Sequence, residues 1–503
     1  MPHEIAPTLQ AALEQPCLTI AHSSLKRVYE DMREAVRCSF PALWPQLHAY
    51  LAATASLCLS DFPLPVTMIA MGPSGSGKTE PLTWIMRSGL VGIVRCDSFT
   101  PKAFVSHASN VKKEQLEKID LLPKLRDACL CTKELAPLFS GREDDIRVAF
   151  AQLTSVLDGE GLVTSSGTQG TRGYSDPINF VWLGATTPPR PKVFGLMAAL
   201  GTRLFFISTD SKRPSARDYA ALIRGTKKPS VNREECADKV RVFLETLFES
   251  VPRRSLSIHK IGVSEEIASS IGLYCEALTL LRGGLSLSDG NTTDDDRHGA
   301  PAIEHGWRAA QVLQALIAGS ALIRGASAAE LEDLQFVGHV CLSSMPEYRR
   351  LVFEAMLEAG GQTTALEVAR LKGMAKKTAL HHLKELAVLA VLDADTDGEP
   401  YKFTLKKDFH PLLTHTRANR VTPPPEHNRI SGNTLTAQND LLAGVTQNDG
   451  VCETSPSWDG DAVQRYKDSF SRTSQLSFSP PSLPHQGDED EGYVPGPDLP
   501  EGF

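Results

Sequence analysis

One octapeptide, Gly72-Pro73-Ser74-Gly75-Ser76-Gly77-Lys78-Thr79, constrains this chain more than any other segment. It has the form G-x-x-x-x-G-K-T, the signature of a P-loop, which cradles the phosphates of a nucleoside triphosphate. The glycines let the backbone wrap tightly, so that successive N–H groups face an anion. Lys78 is the residue expected to reach the β- and γ-phosphates, and the Thr79 hydroxyl the one expected to hold Mg²⁺. The flanks agree. Val66-Thr67-Met68-Ile69-Ala70-Met71 precedes the motif as an apolar run of strand length. Leu82, Ile85 and Met86 follow at helical spacing, with Pro81 in the first turn, where its missing N–H costs nothing. The helix then offers the positive end of its dipole to the same anion. A Gly/Ser-rich surface turn is the alternative, and it does not account for the strand before or the helix after.

A chain of 503 residues suggests roughly two to four domains, and 41% hydrophobic residues can fill ordinary cores. No run approaches the roughly eighteen apolar residues of a membrane span. Residues Met1 to Gln15 lack a signal-peptide pattern. The ten cysteines include no C-x-x-C pair, and Cys58, Cys129, Cys131 and Cys275 fall in apolar periodic stretches. They read as core residues of a cytoplasmic, reducing environment, with a zinc site as the alternative. The net charge of −8 is unevenly spread. From Pro424 to Phe503 there are thirteen Asp/Glu against four Lys/Arg, which leaves 48 Lys/Arg against 47 Asp/Glu before it. The acidity belongs to a tail.

Patterning divides the chain into five parts. Residues 1–64 read as an N-terminal helical region, with Leu25, Val28, Tyr29, Met32 and Val36 three or four apart. Residues 65–210 alternate short apolar strands with helices, the pattern of a parallel α/β sheet covered on both faces. Strands are expected at Val66–Met71, Gly92–Cys96, Ala128–Thr132, Phe180–Ala185 and Leu204–Ser208, and a helix at Glu143–Leu157. Residues 211–340 read as a helical lid with a polar insertion at 286–300. Residues 346–410 show three helices followed by a hairpin, the order of a winged helix-turn-helix. Residues 411–503, rich in Pro, Ser, Asn, Asp and Gly, read as a disordered acidic tail.

Hydrolysis needs more than a phosphate cradle: a carboxylate to orient water, a polar group near the γ-phosphate, and often an arginine for developing charge. Glu134 closes the third strand on the side where ligands of such sheets gather, so it is the candidate base. A solvated glutamate at a helix start is the alternative. Lys133 stands where an aspartate usually faces the metal, and Asp97, ending the neighbouring strand, is the candidate substitute. Thr186, with Thr187, follows the fourth strand and could sense the γ-phosphate. Arg203 precedes the fifth strand and Arg308 opens a lid helix. Both are candidates for phosphate contacts, one from the next subunit and one from the lid, with surface ion pairs as the alternative.

In this order and spacing the elements resemble the AAA+ ATPase superfamily. The lid and C-terminal domain are similar to those of minichromosome-maintenance-type helicases and bacterial mobile-element ATPases. The resemblance spans about residues 65–410. It implies ATP and Mg²⁺ as ligands, Glu134 as the Walker B glutamate, Thr186 as sensor 1, Arg203 as an arginine finger and Arg308 as sensor 2. It further implies self-association into a ring, hexamers above all, and action on DNA in a mobile element or phage system. Lys133 for Asp and Thr for the usual Asn at sensor 1 depart from the family pattern.

Two segments point to DNA. Asp158 to Tyr174 lies where relatives carry a pore hairpin, and it contains Thr164, Ser165, Ser166, Gln169 and Arg172. A disordered insertion is the alternative. The third helix of the C-terminal domain opens with Lys376, Lys377 and Thr378 and continues to Lys384, and Lys402 lies on the wing, with Arg370 and Lys372 nearby. Asp393, Asp395, Asp397 and Glu399 favour a protein-binding winged helix instead. Three functions follow: a DNA-directed ATP-driven motor or remodeller, an ATP-gated DNA-binding regulator or loader without translocation, and a small-molecule kinase, which the lid and the C-terminal domain disfavour.

Overall fold

A computed structural model describes residues 7–106, 113–166, 170–209, 215–224, 229–285 and 301–413. The chain divides into two compact units, Met1–Pro425 and Glu426–Phe503, and all described residues belong to the first. The insertion at 286–300, Gln169, and the tail from residue 414 onward lie outside the described residues.

Two helices, α1 (Pro7–Ser39) and α2 (Trp44–Ala55), come first. The spacing of Leu25, Tyr29, Met32 and Val36 puts all four on one face of α1, and all are buried. The α/β region then runs β1 (Val66–Met71), α3 (Glu80–Arg87), β2 (Ile93–Arg95), α4 (Lys113–Ile119), β3 (Ala128–Thr132), α5 (Ala136–Ser140) and α6 (Glu143–Leu157). A hairpin of β4 (Leu162–Ser166) and β5 (Gly170–Tyr174) precedes β6 (Phe180–Thr186), α7 (Pro191–Leu200) and β7 (Phe205–Ser208). Five strands form one sheet in the order β2-β3-β6-β1-β7, every pair parallel.

Because side chains alternate across a strand, a parallel sheet with helices on both faces needs apolar residues at every position. Here Met68 and Ala70 of β1 join one apolar core while Ile69 and Met71 join the other. Phe205 and Ile207 of β7 divide from Phe206 in the same way. All residues of β1, β3, β6 and β7 are buried. The polar ones among them find partners: Thr132 Oγ1 accepts from Trp182 Nε1 at 3.0 Å, and Ser208 Oγ lies 2.9 Å from Ser343 Oγ.

Beyond the sheet come α8 (Ala216–Ile223), α9 (Pro229–Ser250), α10 (Glu265–Arg282), α11 (Trp307–Ile323) and α12 (Leu331–Ser343). Helix α9 packs on α1 and α3, α11 on α2, and α12 on β7, so these helices and the N-terminal ones share one core with the sheet. The last elements are α13 (Glu347–Glu358), β8 (Gln362–Thr364), α14 (Ala365–Lys372), α15 (Lys376–Val388), β9 (Leu392–Asp395) and β10 (Lys402–Leu405). Thr364 caps α14 in a reciprocal pair with Glu367, and Gly373, at φ +66°, ends it in the left-handed conformation. The strands pair antiparallel in the order β8-β10-β9. Strand β8 was not expected from the sequence: three residues carry no readable alternation. Among the described residues no helix is long and apolar enough to cross a membrane.

Candidate nucleotide site

The Gly72–Thr79 loop joins the C-terminal end of β1 to the N-terminus of α3. Gly75 and Gly77 adopt φ of +79° and +81°, values that any side chain would strain. Nothing lies within 4 Å of a methyl placed on Gly75, so space opens over the loop there. Lys78 is buried, and its ammonium lies 3.4 Å from the Pro73 carbonyl, folded back over the loop. These are the properties a phosphate cradle requires: φ-positive glycines that turn amides inward, and a cation within the bend. Thr79 directly precedes α3 as its N-cap.

Strand register places the other candidates. Met71 lies opposite Thr186, and Thr132 lies opposite Gly184. Glu134, two residues past Thr132, is therefore level with Thr186 and with the end of β1. At about 4.8 Å per strand, Thr186 is one step from β1 and Glu134 two steps, roughly 10 Å. Thr186 is buried, and its carbonyl accepts from Gly72 N–H at 3.2 Å. Glu134 is exposed, and its Oε1 accepts from Ala136 N–H at 2.9 Å, which fixes the carboxylate at the start of α5. Phosphate loop, Thr186 and Glu134 thus share one edge of the sheet.

Three of the expected residues lie away from the loop of their own chain. Asp97 follows β2, the outer strand, about three strand spacings or roughly 14 Å from β1. It is bound to Arg95, Nε to Oδ1 at 3.0 Å, and pairs with Lys133 at 3.7 Å. The hydrogen bond from Arg95, aided by Lys133, holds its carboxyl below the ordinary range. It does not stand beside Thr79 as a metal ligand. Arg203 and Arg308 do not reach their own phosphate loop. Met68 lies opposite Phe205, so Arg203 is level with Val66, about 16 Å below the end of β1. Arg203 NH2 pairs with Asp158 at 2.9 Å, and Arg308 binds the same carboxylate. Burial lowers the Arg308 pKa, opposed by Asp158.

Three residues with no motif complete the loop's surroundings. Gln46, buried on α2, donates from Nε2 to the Lys78 carbonyl, while its Oε1 has no partner. Leu43 packs over Gly77, 3.2 Å from where a methyl there would lie. Thr209, just past β7, donates its N–H to Met71 O at 2.9 Å and its hydroxyl to Ser76 Oγ at 3.4 Å. A methyl on Gly72 would collide with Thr209 Oγ1. Gly72→Ala should therefore weaken nucleotide binding, and adding Thr209→Ala should recover part of it, since removing the hydroxyl leaves the nearest Thr209 atom at 3.3 Å while Ser76 Oγ, on a side chain that can rotate, remains at 2.9 Å. Titration calorimetry of the single and double variants checks this.

The C-terminal basic residues are exposed or half-buried. Lys376, Lys377 and Lys402 are exposed, Thr378 and Lys384 half-buried. Helical spacing puts Lys377, His381 and Lys384 on one face of α15. Two neighbours are committed elsewhere: Lys372 pairs with Glu354 at 3.4 Å and Glu358 at 3.0 Å, and Arg172 of the hairpin pairs with Asp120 at 3.7 Å. His381, His382 and Glu385 bring their ligand atoms within 4.8 Å of one another. Burial pushes the Glu385 carboxyl up, yet hydrogen bonds from His382 and Arg349 outweigh it and hold the pKa at about 2. With the Arg349 guanidinium on that carboxylate, a dication is disfavoured.

No protein-family model matches the chain, and no curated protein matches it. Among solved structures, the chain is similar to a candidate ATPase from Cytophaga hutchinsonii at 12% identity and a TM-score of 0.37, covering 67% of this chain and 91% of that one. It is also similar to a full-length MCM homolog from Methanopyrus kandleri at 10% identity and a TM-score of 0.35, covering 65% of this chain. The chain spans 61% of that homolog's length. At these values the functional reading comes from the residues themselves.

Proposed function

We propose that this chain binds and hydrolyses ATP at Gly72–Thr79 as an AAA+ protein and applies the energy to DNA. One observation carries the reading: the glycine-rich loop with its buried lysine, Thr186 and Glu134 converge on one edge of the parallel sheet. The strand order, with β1 flanked by β6 and β7 and β3 next beyond β6, supports it. The loop amides and Lys78 bind the triphosphate. Mg²⁺, when bound, neutralises phosphate charge, and the Thr79 hydroxyl is the residue to hold it. Glu134 orients the attacking water and accepts its proton, and Thr186 steadies the γ-phosphate end.

The exposed stripe on α15 and Lys402 on the wing form the DNA contact, read as a winged helix. Lys402 lies directly opposite Asp395 across the β9–β10 ladder, which offsets part of its charge, so the α15 stripe carries most of the contact. Copies of the chain assemble into a ring, a hexamer being the favoured form. A second reading, an ATP-gated regulator or loader, draws support from Lys133 in place of an aspartate, which slows turnover.

The test is ATP hydrolysis with and without single- and double-stranded DNA. DNA should stimulate wild type, and Glu134→Gln should lower the rate by about 100-fold or more while leaving binding intact. An unchanged rate removes Glu134 from this role. Strand separation by the purified protein then divides motor from loader.

A further inference from the structure

Helices α1, α2, α10, α12 and α13 border a cavity of about 500 Å³, none of whose lining residues belongs to the phosphate loop or the sheet. Five rings line it: Tyr29 on α1, Trp44 and His48 on α2, Tyr274 on α10 and Phe336 on α12. Neighbouring rings stand at steep angles. Tyr29 and Trp44 meet at 65° with centroids 5.7 Å apart, and His48 and Phe336 at 72° and 4.9 Å. The polar ends of two of them are engaged inside the protein. The Tyr29 hydroxyl lies 3.1 Å from His48 Nδ1, and His48 Nε2 lies 2.8 Å from Ser320 Oγ. Tyr29 and His48 therefore offer the cavity ring carbon and not hydrogen bonds. Burial lowers the His48 pKa to about 3, so this ring stays neutral and brings no positive charge.

The charges around the cavity favour a cation. Glu332 on α12 and Glu354 and Glu358 on α13 line it, against the one guanidinium of Arg33. Each carboxylate already has cationic neighbours. Arg33 at 3.8 Å and Arg324 at 2.8 Å reach Glu332. Arg350 at 3.1 Å and Lys372 at 3.4 Å reach Glu354, and Lys372 at 3.0 Å reaches Glu358. Arg33 and Arg324 are in turn shared with Glu30, Glu330 and Asp333. Arg33, Arg324, Arg350 and Lys372 thus face six carboxylates, which leaves two negative charges in surplus. His339, also in the lining, has Nε2 3.3 Å from Ser208 Oγ, and Gln335 adds a neutral amide. One wall already holds a cation: the Arg33 guanidinium carbon sits over the Trp44 ring, 5.8 Å from its centroid. The quadrupole of a ring face attracts a cation in this way. The space beside Arg33 falls within the range of about 300–1,000 Å³ typical of small-ligand pockets.

We propose that this cavity binds an organic cation, an alkylammonium or guanidinium group on an apolar body, with the rings against the body and Glu332, Glu354 and Glu358 as counter-charge. An anion would meet the surplus carboxylates, and a neutral molecule would leave them uncompensated. Either a free small molecule or the side chain of a partner protein carries this chemistry. The proposal does not depend on the ATP reading, and its test needs no nucleotide.

The full-length chain is titrated by calorimetry with two cations and their neutral isosteres. Choline is paired with neohexyl alcohol, in which carbon replaces the nitrogen, and N-acetylarginine amide with N-acetylcitrulline amide. At least one cation should bind with a dissociation constant below about 1 mM, and its isostere at least about tenfold more weakly. Binding of choline alone assigns the site to a free cation, and binding of the arginine amide alone assigns it to a side chain. Trp44→Leu keeps an apolar wall without the ring face, and it should weaken the cation about tenfold while leaving the isostere unchanged. Glu332→Gln combined with Glu354→Gln removes the surplus charge and should also weaken the cation about tenfold. Trp307→Leu, at a residue 82% exposed and outside the cavity, should bind like wild type. Absence of saturable binding by both cations overturns the proposal, as does equal binding of each cation and its isostere, or full affinity in Trp44→Leu. If Trp44→Leu melts below the assay temperature, the glutamine pair carries the same test, and the isostere comparison on wild type requires no variant.

Discussion

Lys78→Ala should bind Mg-ATP at least about 100-fold more weakly than wild type, and calorimetry should show no saturable heat at concentrations that fill the native site. The size follows from what the ammonium does. It is the cation of the loop, buried within the bend, and its polar contact inside the protein is one long hydrogen bond to the Pro73 carbonyl at 3.4 Å. Among the described residues it has no closer polar partner, so under the proposed function its donors are available to a triphosphate. Charge-assisted bonds to phosphate contribute about 1.5–3 kcal/mol each, and two of them give the loss stated. The buried stem also packs, so Lys78→Met is the cleaner variant: it keeps the apolar length and removes the charge. Both variants should melt near the wild-type temperature. Equal binding by Lys78→Met and wild type would take the phosphate away from this loop.

Much of this site was legible in the sequence, and the boundary has physical causes. The phosphate loop could be read because its requirements are local: glycines where φ turns positive, a lysine and a threonine at fixed offsets. The five strands could be read because burial on both faces forces unbroken apolar runs such as Phe180–Ala185. Glu134 and Thr186 could be placed because each follows a strand, and parallel strands end at a common edge. The same rule says less about Asp97. It ends a strand adjacent to that of Glu134, but on the far side, and no sequence pattern states strand order. Arg203 and Arg308 show the complementary gap. Their positions before a strand and at a helix start are correct, yet only the register shows that they lie at the opposite edge and share Asp158. Gln46, Leu43 and Thr209 carry no motif because their contacts with the loop come from helix α2 and strand β7 packing beside it. A buried glutamine with one unpartnered oxygen is a signal that exists only in three dimensions.

The largest stability effect should come from Asp333, far from any motif. Its side chain is fully buried at the start of α12, with Oδ1 accepting from Ser320 Oγ at 2.6 Å and Arg324 Nε at 3.0 Å. Oδ2 accepts from Arg324 NH2 at 2.5 Å and from Glu330 N–H at 2.8 Å. The chain of bonds continues inward: Ser320 Oγ lies 2.8 Å from His48 Nε2, and His48 Nδ1 lies 3.1 Å from the Tyr29 hydroxyl. Because Ser320 gives its proton to Asp333, it must accept from His48, which sets the tautomer with the proton on Nε2. Burial lowers the His48 pKa to about 3, so the ring is neutral and the sequence of donors is self-consistent. Four helices, α1, α2, α11 and α12, are thereby joined through one carboxylate. Asp333→Ala removes the buried one of three carboxylates on Arg324, leaves Glu330 at 3.1 Å and Glu332 at 2.8 Å, and strands the Ser320 hydroxyl; it should lower stability by about 3 kcal/mol, the low end for a broken buried pair, in urea or thermal unfolding. The double variant Asp333→Leu with Arg324→Met removes both charges and should be less damaging than Asp333→Ala alone, since it refills the site with apolar atoms and leaves no partly paired buried charge. A double variant as unstable as the two single losses added together would show that the pair contributes through packing and not through its charges.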